Sequence, residues 1–228
     1  MKNNLRISEY KEFLTNNNEL NQLINEYIIL SCLNVANNAN FKTDYNDVKE
    51  HLFENPNYIK IFVVEDNKTV PIIKGFLIAD IINGYKDNKV LHCHGIIVDS
   101  SVQGLGVGRE MINYLISKHS PDVVTLKTHN PRCFNSLINA LGVIKYYPNN
   151  ETIPNDIYHL VKSIPFISCV DDDLIYRDAY PDEKIQQAYR NDSLYNIFKK
   201  VKSYDAQALV AIINDEKLDL ENKKMIKR

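Results

Sequence analysis

The residues best suited to chemistry crowd into one stretch of this sequence. Gly104, Gly106 and Gly108 are three of only seven glycines in the chain, and Gln103 stands directly before them. Glycines this close together let backbone N–H groups point the same way with no Cβ in front. Ahead of a helix, whose first N–H groups are unpaired and whose dipole end is positive, they make a nest for an anion such as a pyrophosphate. His92 and His94 come shortly before the cluster, and histidine is the side chain that titrates near neutral pH. The four cysteines, Cys32, Cys93, Cys133 and Cys169, form no C-x-x-C pair and no zinc spacing, so they read as reduced thiols. His119 and His159 read as surface histidines. The run Asp171-Asp172-Asp173 is either a solvated loop or an acidic patch that attracts a cation.

These residues need elements to hold them. Residues 8–38 read as helical, with Ser8 as a cap, and a shorter helix is expected over 45–53. Three β-rich segments follow, 59–65, 72–82 and 90–98, separated by polar turns as in an antiparallel meander. Alternation along the third puts Val90, His92, His94, Ile96 and Val98 on one face, with Cys93 opposite. Two histidines on one face of a central strand are costly unless partnered or solvated by a cleft. After the glycines come a helix over 109–118, a strand over 123–127, a helix over 131–141 and a strand over 143–147. Asn130 is placed to cap the second of these helices, Pro131 opens it and Gly142 stops it. The core order is then ααβββαβαβ. Residues 148–204 read as a largely helical insertion, with helices near 155–163 and 182–201. A closing strand at 206–213 and a charged tail at 214–228, expected to fray from Lys217 onward, complete the chain.

The glycines match no common nucleotide fingerprint. A G-x-G-x-x-G from Gly104 or Gly106 meets Arg109 or Met111 where glycine is required, and no P-loop lysine follows. Gln103-Gly104-Leu105-Gly106-Val107-Gly108 does fit Q-x-x-G-x-G. That motif, with its flanking strand and helix, resembles motif A of the GNAT superfamily of N-acetyltransferases. The resemblance covers residues 5–147 and 205–213. It implies an α/β fold: a mixed, mostly antiparallel sheet flanked by helices, with the largely helical insertion before the last strand, in a single domain spanning 1–228. It implies acetyl-CoA as acyl donor, with main-chain contacts from Ile97 and Val98 to the pantetheine arm. The amides of Gln103, Gly104, Leu105, Gly106, Val107, Gly108 and Arg109 would meet the pyrophosphate. Asn130 falls where the family often has an Asn near the cofactor, while its plain reading is a helix cap, and both can hold.

The same resemblance suggests catalytic roles. An acceptor amine is mostly ammonium at neutral pH, since its pKa lies near ~10.4, so a base is needed. His92 stands eleven residues before Gln103, the spacing at which one branch of the family carries a glutamate base, and His94 is the second candidate. The tyrosine that often protonates the leaving thiolate would fall at Ile138; Tyr146 or Tyr147 on the next strand could substitute, and a CoA thiolate can also leave unassisted. The expected activity is direct acetyl transfer, in a ternary complex, to a primary amine of a small molecule. A protein amine as acceptor, or a non-catalytic acyl-CoA-binding module, is the alternative.

Composition sets the outer bounds. With 228 residues, 44% of them hydrophobic, the chain buries roughly 70% of its unfolded surface and needs no disulfide or metal staple. A net charge of −2 argues against a nucleic-acid or membrane-surface role. No apolar run is long enough to span a bilayer and the N-terminus carries no signal-like stretch, so a cytoplasmic monomer or homodimer is expected. The absence of Trp and the abundance of Asn read as compositional bias.

Overall fold

The computed structural model describes residues 4–66, 70–142, 145–149, 151–179, 196–202 and 204–220. It is an α/β fold, a mostly antiparallel mixed sheet flanked by helices, as the resemblance implies. The chain divides into two units, residues 1–80 with 93–118, and residues 81–92 with 119–228.

The first unit begins with a strand, β1 (Leu5–Glu9), where a helix from Ser8 was expected. The reason is edge pairing. Five residues of β1 lie antiparallel to β2 (Ile59–Glu65), from Leu5 opposite Glu65 to Glu9 opposite Ile61. Those ladder bonds come from a segment more than fifty residues away, so local periodicity does not reveal them. The helical stretch starts only at α1 (Asn18–Asn38), capped by Asn17, whose side chain accepts from the Glu19 and Leu20 amides. Next comes α2 (Tyr45–Phe53), capped by Asp44. Ile28, Ile29, Cys32 and Val35 of α1 and Val48 and Leu52 of α2 pack on Phe62, Val64, Ile73, Phe76 and Ile78. The last three belong to β3 (Ile72–Asn83), which is antiparallel to β2. Unit 1 also holds β4 (Lys89–Val98) from Cys93 onward and most of α3 (Val107–His119).

The second unit is built on β8 (Ala206–Ile212), every residue of which is buried. It pairs antiparallel with β5 (Val123–Thr128), β6 (Lys145–Tyr147) and a two-residue β7 (Ile175–Tyr176). The helix α4 (Pro131–Leu141) lies between β5 and β6 in sequence, as expected. Of the insertion, α5 (Asn155–Ser163) forms where the spacing predicts it, and its Ile157, Leu160 and Val161 share a core with Val90, Val123, Ala208, Val210 and Ile212. β7 carries too short a signal to be read from sequence. The helix expected near 182–201 falls largely outside the described residues. The tail does not fray over 214–220. Leu218 is buried in the same core, the Lys217 Nζ donates to Asp122 Oδ2 at 3.0 Å, and the Asp219 amide donates to Asp156 Oδ2 at 2.7 Å. The described order is therefore βααβββαβαβαββ. Among the described residues no helix is long and apolar enough to cross a membrane, and no group of His, Cys, Asp or Glu is placed to hold a metal ion.

Candidate functional site

Unit 1 carries the glycine loop. β4 ends at Val98, a single 3-10 turn covers Ser100–Val102, and residues 103–106 form a turn that leads into α3. Gly104 and Gly106 both have positive φ, 77° and 78°, a region where a Cβ would be strained. The first helical hydrogen bond of α3 runs from the Glu110 amide to the Gly106 carbonyl at 3.0 Å. The amides of Val107, Gly108 and Arg109 therefore precede any intrahelical acceptor and gather at the positive end of the helix. The Arg109 guanidinium folds back to 3.3 Å from where a Cβ on Gly106 would stand, which places a cation beside the loop. Backbone donors without Cβ cover, a helix N-terminus and an arginine suit a pyrophosphate, so the loop fits the acyl-CoA that the resemblance implies.

Asp99 holds this loop in place. Its carboxylate accepts from the Ser101 amide at 2.8 Å, the Ser101 hydroxyl at 2.6 Å and the Asn38 side chain at the end of α1 at 2.7 Å. Its amide donates to the Lys74 carbonyl at 2.9 Å. Burial works to raise the Asp99 pKa, but the hydrogen bonds from Ser101 and Asn38 and the nearby Lys74 charge outweigh it, and the carboxyl sits below its ordinary value. Lys74 presents its carbonyl because β3 bulges there: Val63 faces Gly75 while Val64 faces Ile73, leaving Lys74 as the extra residue. Gly75 is needed at the same place, since a Cβ on it would lie 3.2 Å from the Ile97 carbonyl. Asp99, Asn38, Lys74 and Gly75 were missed in the sequence. Only the position of Asp99 next to the motif offered a signal.

Ile97 and Val98 are half-buried, and the Gln103 side chain donates from Nε2 to the Val98 carbonyl at 2.9 Å. His94 is also in unit 1, half-buried, with its ring 4.3 Å from that of Tyr58. Unit 1 thus brings together Ile97, Val98, His94 and all seven residues from Gln103 to Arg109.

His92, Asn130 and Tyr146 belong to unit 2. His92 is 2% exposed, its Nδ1 is 2.8 Å from the Thr125 hydroxyl, and its ring stacks on Phe166 at 5.3 Å. Asn130 is exposed at the start of α4, where its carbonyl accepts from the Phe134 amide at 3.2 Å and its amide donates to the Thr128 hydroxyl at 3.0 Å. Tyr146 lies opposite Ala211 on β8, with its ring edge-on to Phe134 at 6.2 Å. Cys93 is buried, which pushes its thiol up to about 12, so it is an inert thiol rather than a nucleophile. The acidic run is a folded turn. Asp171 accepts from the Asp173 and Ile175 amides and pairs with Arg177, while Asp173 pairs with Lys200 at 2.7 Å.

The model of the acetyltransferase (GNAT) family matches residues 26–132, from within α1 through the glycine loop to the start of α4. That stretch is a GNAT acetyltransferase domain. Among solved structures, the Escherichia coli ribosomal-protein-S18-alanine N-acetyltransferase is 14% identical, with 92% of this chain and 94% of that one covered and a TM-score of 0.49. A NatC complex bound to Gag peptide and CoA is 12% identical, with coverage of 92% and 99% and a TM-score of 0.49. An aminoglycoside acetyltransferase from an uncultured soil metagenomic sample is 20% identical, with coverage of 52% and 71% and a TM-score of 0.33. Likeness at this level concerns the fold alone. No curated protein matches the chain at a significant level.

Proposed function

We propose that this acetyltransferase moves an acetyl group from acetyl-CoA to a primary amine of a small molecule, by direct attack in a ternary complex. The observation that carries the reading is the loop of Gly104 to Arg109, with two positive-φ glycines and the unpaired amides at the start of α3. In this reading the loop amides and Arg109 bind the pyrophosphate of the donor. Ile97 and Val98 offer main-chain groups to its pantetheine arm, and Gln103 releases the Val98 carbonyl as the donor enters. The donor supplies an activated thioester carbon, and holding both substrates makes the transfer effectively intramolecular. His92 is the assigned base. Thr125 fixes its ring through Nδ1, and the proton is relayed by water given the burial of the ring. His94 is the alternative base, Tyr146 the assigned proton donor to the thiolate, and Asn130 a further donor contact.

The test is thiol release from acetyl-CoA across a panel of amines, with donor affinity measured by calorimetry. Gly106→Glu puts a side chain and a negative charge into the nest and is expected to abolish CoA binding. Normal CoA binding by this variant would remove the loop assignment. His92→Ala is expected to lower kcat/KM for the amine with CoA affinity kept, and an unchanged pH–rate profile would remove His92 from the mechanism. Tight CoA binding with turnover of no amine would favour the non-catalytic alternative.

A further inference from the structure

Unit 2 holds a lysine whose position the transfer reaction does not explain. Alternation along β5 puts Val123, Thr125 and Lys127 on one face, opposite Ile212, Val210 and Ala208 of β8. Lys127 thus stands at the end of an apolar row, half-buried, with its ammonium 4.3 Å from the centre of the Tyr176 ring. Tyr176 reaches it from β7, where it pairs with Ala206. Burial holds the Lys127 pKa below the ordinary lysine value. Among the described residues no carboxylate lies within ion-pair distance of Lys127. Of the neighbouring acids, Asp171 and Asp205 pair with Arg177, and Asp173 pairs with Lys200. A half-buried charge without a counter-charge loses part of its hydration, and the face of one aromatic ring offsets only part of that loss. An incoming anion would offset the rest.

We propose that Lys127 and Tyr176 form an anion subsite that takes the carboxylate of an amino-acid-like acceptor. The subsite rests on the transfer reading above for its role. His92 Nδ1 is 2.8 Å from Thr125, and Thr125 precedes Lys127 by two residues on the same face, or about 6.7 Å along the strand. An acceptor whose amine and carboxylate are a few bonds apart matches that row. Tyr176 comes from the insertion before the last strand, so the segment that departs most from a short connection supplies the recognition.

The experiment uses the full chain and a matched pair of acceptors, an amino acid and the amine left by its decarboxylation. Lys127→Met is expected to lower kcat/KM for the carboxylate-bearing acceptor about tenfold or more, the range for losing a charged hydrogen bond, and to leave the decarboxylated amine unchanged. Lys127→Arg restores most of the loss. Equal losses on both acceptors, or none on either, overturn the proposal. A second measurement needs no turnover. Lysines are reductively methylated with a carbon-13 label, the Lys127 signal is assigned by its absence in Lys127→Arg, and acetate or inorganic phosphate is added. A shift of that signal with acetate supports the subsite, and a shift without turnover of any amine sinks the transfer reading alone. No shift with either anion overturns the subsite, and a response to phosphate without one to acetate overturns the carboxylate assignment.

Discussion

The three glycines of the loop look equivalent in sequence, and alanine scanning across them should separate them. Gly104 and Gly106 have φ of 77° and 78°, where an L-residue costs about 1–2 kcal/mol. At Gly104 a new Cβ meets nothing within 4 Å, so that strain is the whole effect. At Gly106 the new Cβ meets the Arg109 guanidinium at 3.3 Å, which is the far end of a flexible side chain and can move away, so strain again dominates. Gly108 is different. It lies inside α3 with no positive φ, and its Cβ would make an ordinary 3.4 Å contact with Ile96 Cδ1. Alanine there removes the entropy cost of a helical glycine, worth about 0.5–1 kcal/mol. For a chain of this size 1 kcal/mol moves Tm by about 2–4 °C. Gly104→Ala and Gly106→Ala should therefore lower Tm by about 2–8 °C, and Gly108→Ala should hold or raise it. Scanning calorimetry backed by urea titration reads the difference. Destabilisation by Gly108→Ala equal to the other two, or a neutral Gly104→Ala, would refute the reasoning.

Asp99→Ala removes a carboxylate that is 3% exposed and accepts three hydrogen bonds, and it should cost about 3 kcal/mol in urea unfolding. Because the folded Asp99 pKa lies below its unfolded value, its contribution is present above about pH 3.9 and is lost as the pH falls through the folded value. The stability gap between wild type and Asp99→Asn should accordingly be full at neutral pH and narrow in strong acid. A thiol-labelling time course should show Cys169 reacting first, since it is exposed while Cys32 and Cys93 are buried. Burial raises the pKa of both buried thiols, that of Cys93 to about 12. Leu218→Ala should cost about 2–4 kcal/mol even though it lies ten residues from the C-terminus, because its side chain is in the unit 2 core. A negligible cost would mean that residues 214–220 fray.

The sequence by itself determined the elements whose signal is local. The apolar runs at 59–65 and 72–82, the 3.6-residue period of α3, and the Asn130-Pro131 start and Gly142 stop of α4 all appear, within a residue or two, where periodicity and capping chemistry put them. The glycine motif was equally legible, because three glycines in five residues of a glycine-poor chain need a backbone reason. What it did not contain was pairing. β1 and β7 are strands only because β2 and β8 offer them partners, from more than fifty and about thirty residues away, and five or two residues carry no period of their own. The same holds at the site. Asp99 gains its role from Asn38 and from a bulge at Lys74, and the role proposed for Lys127 rests on Tyr176 and on the absence of a carboxylate beside it among the described residues. Local patterns fix which residues can be helix, strand or turn, because they depend on side-chain spacing along one chain. The use of a charge depends on which other charges end up within a few ångströms, and only the tertiary structure decides that.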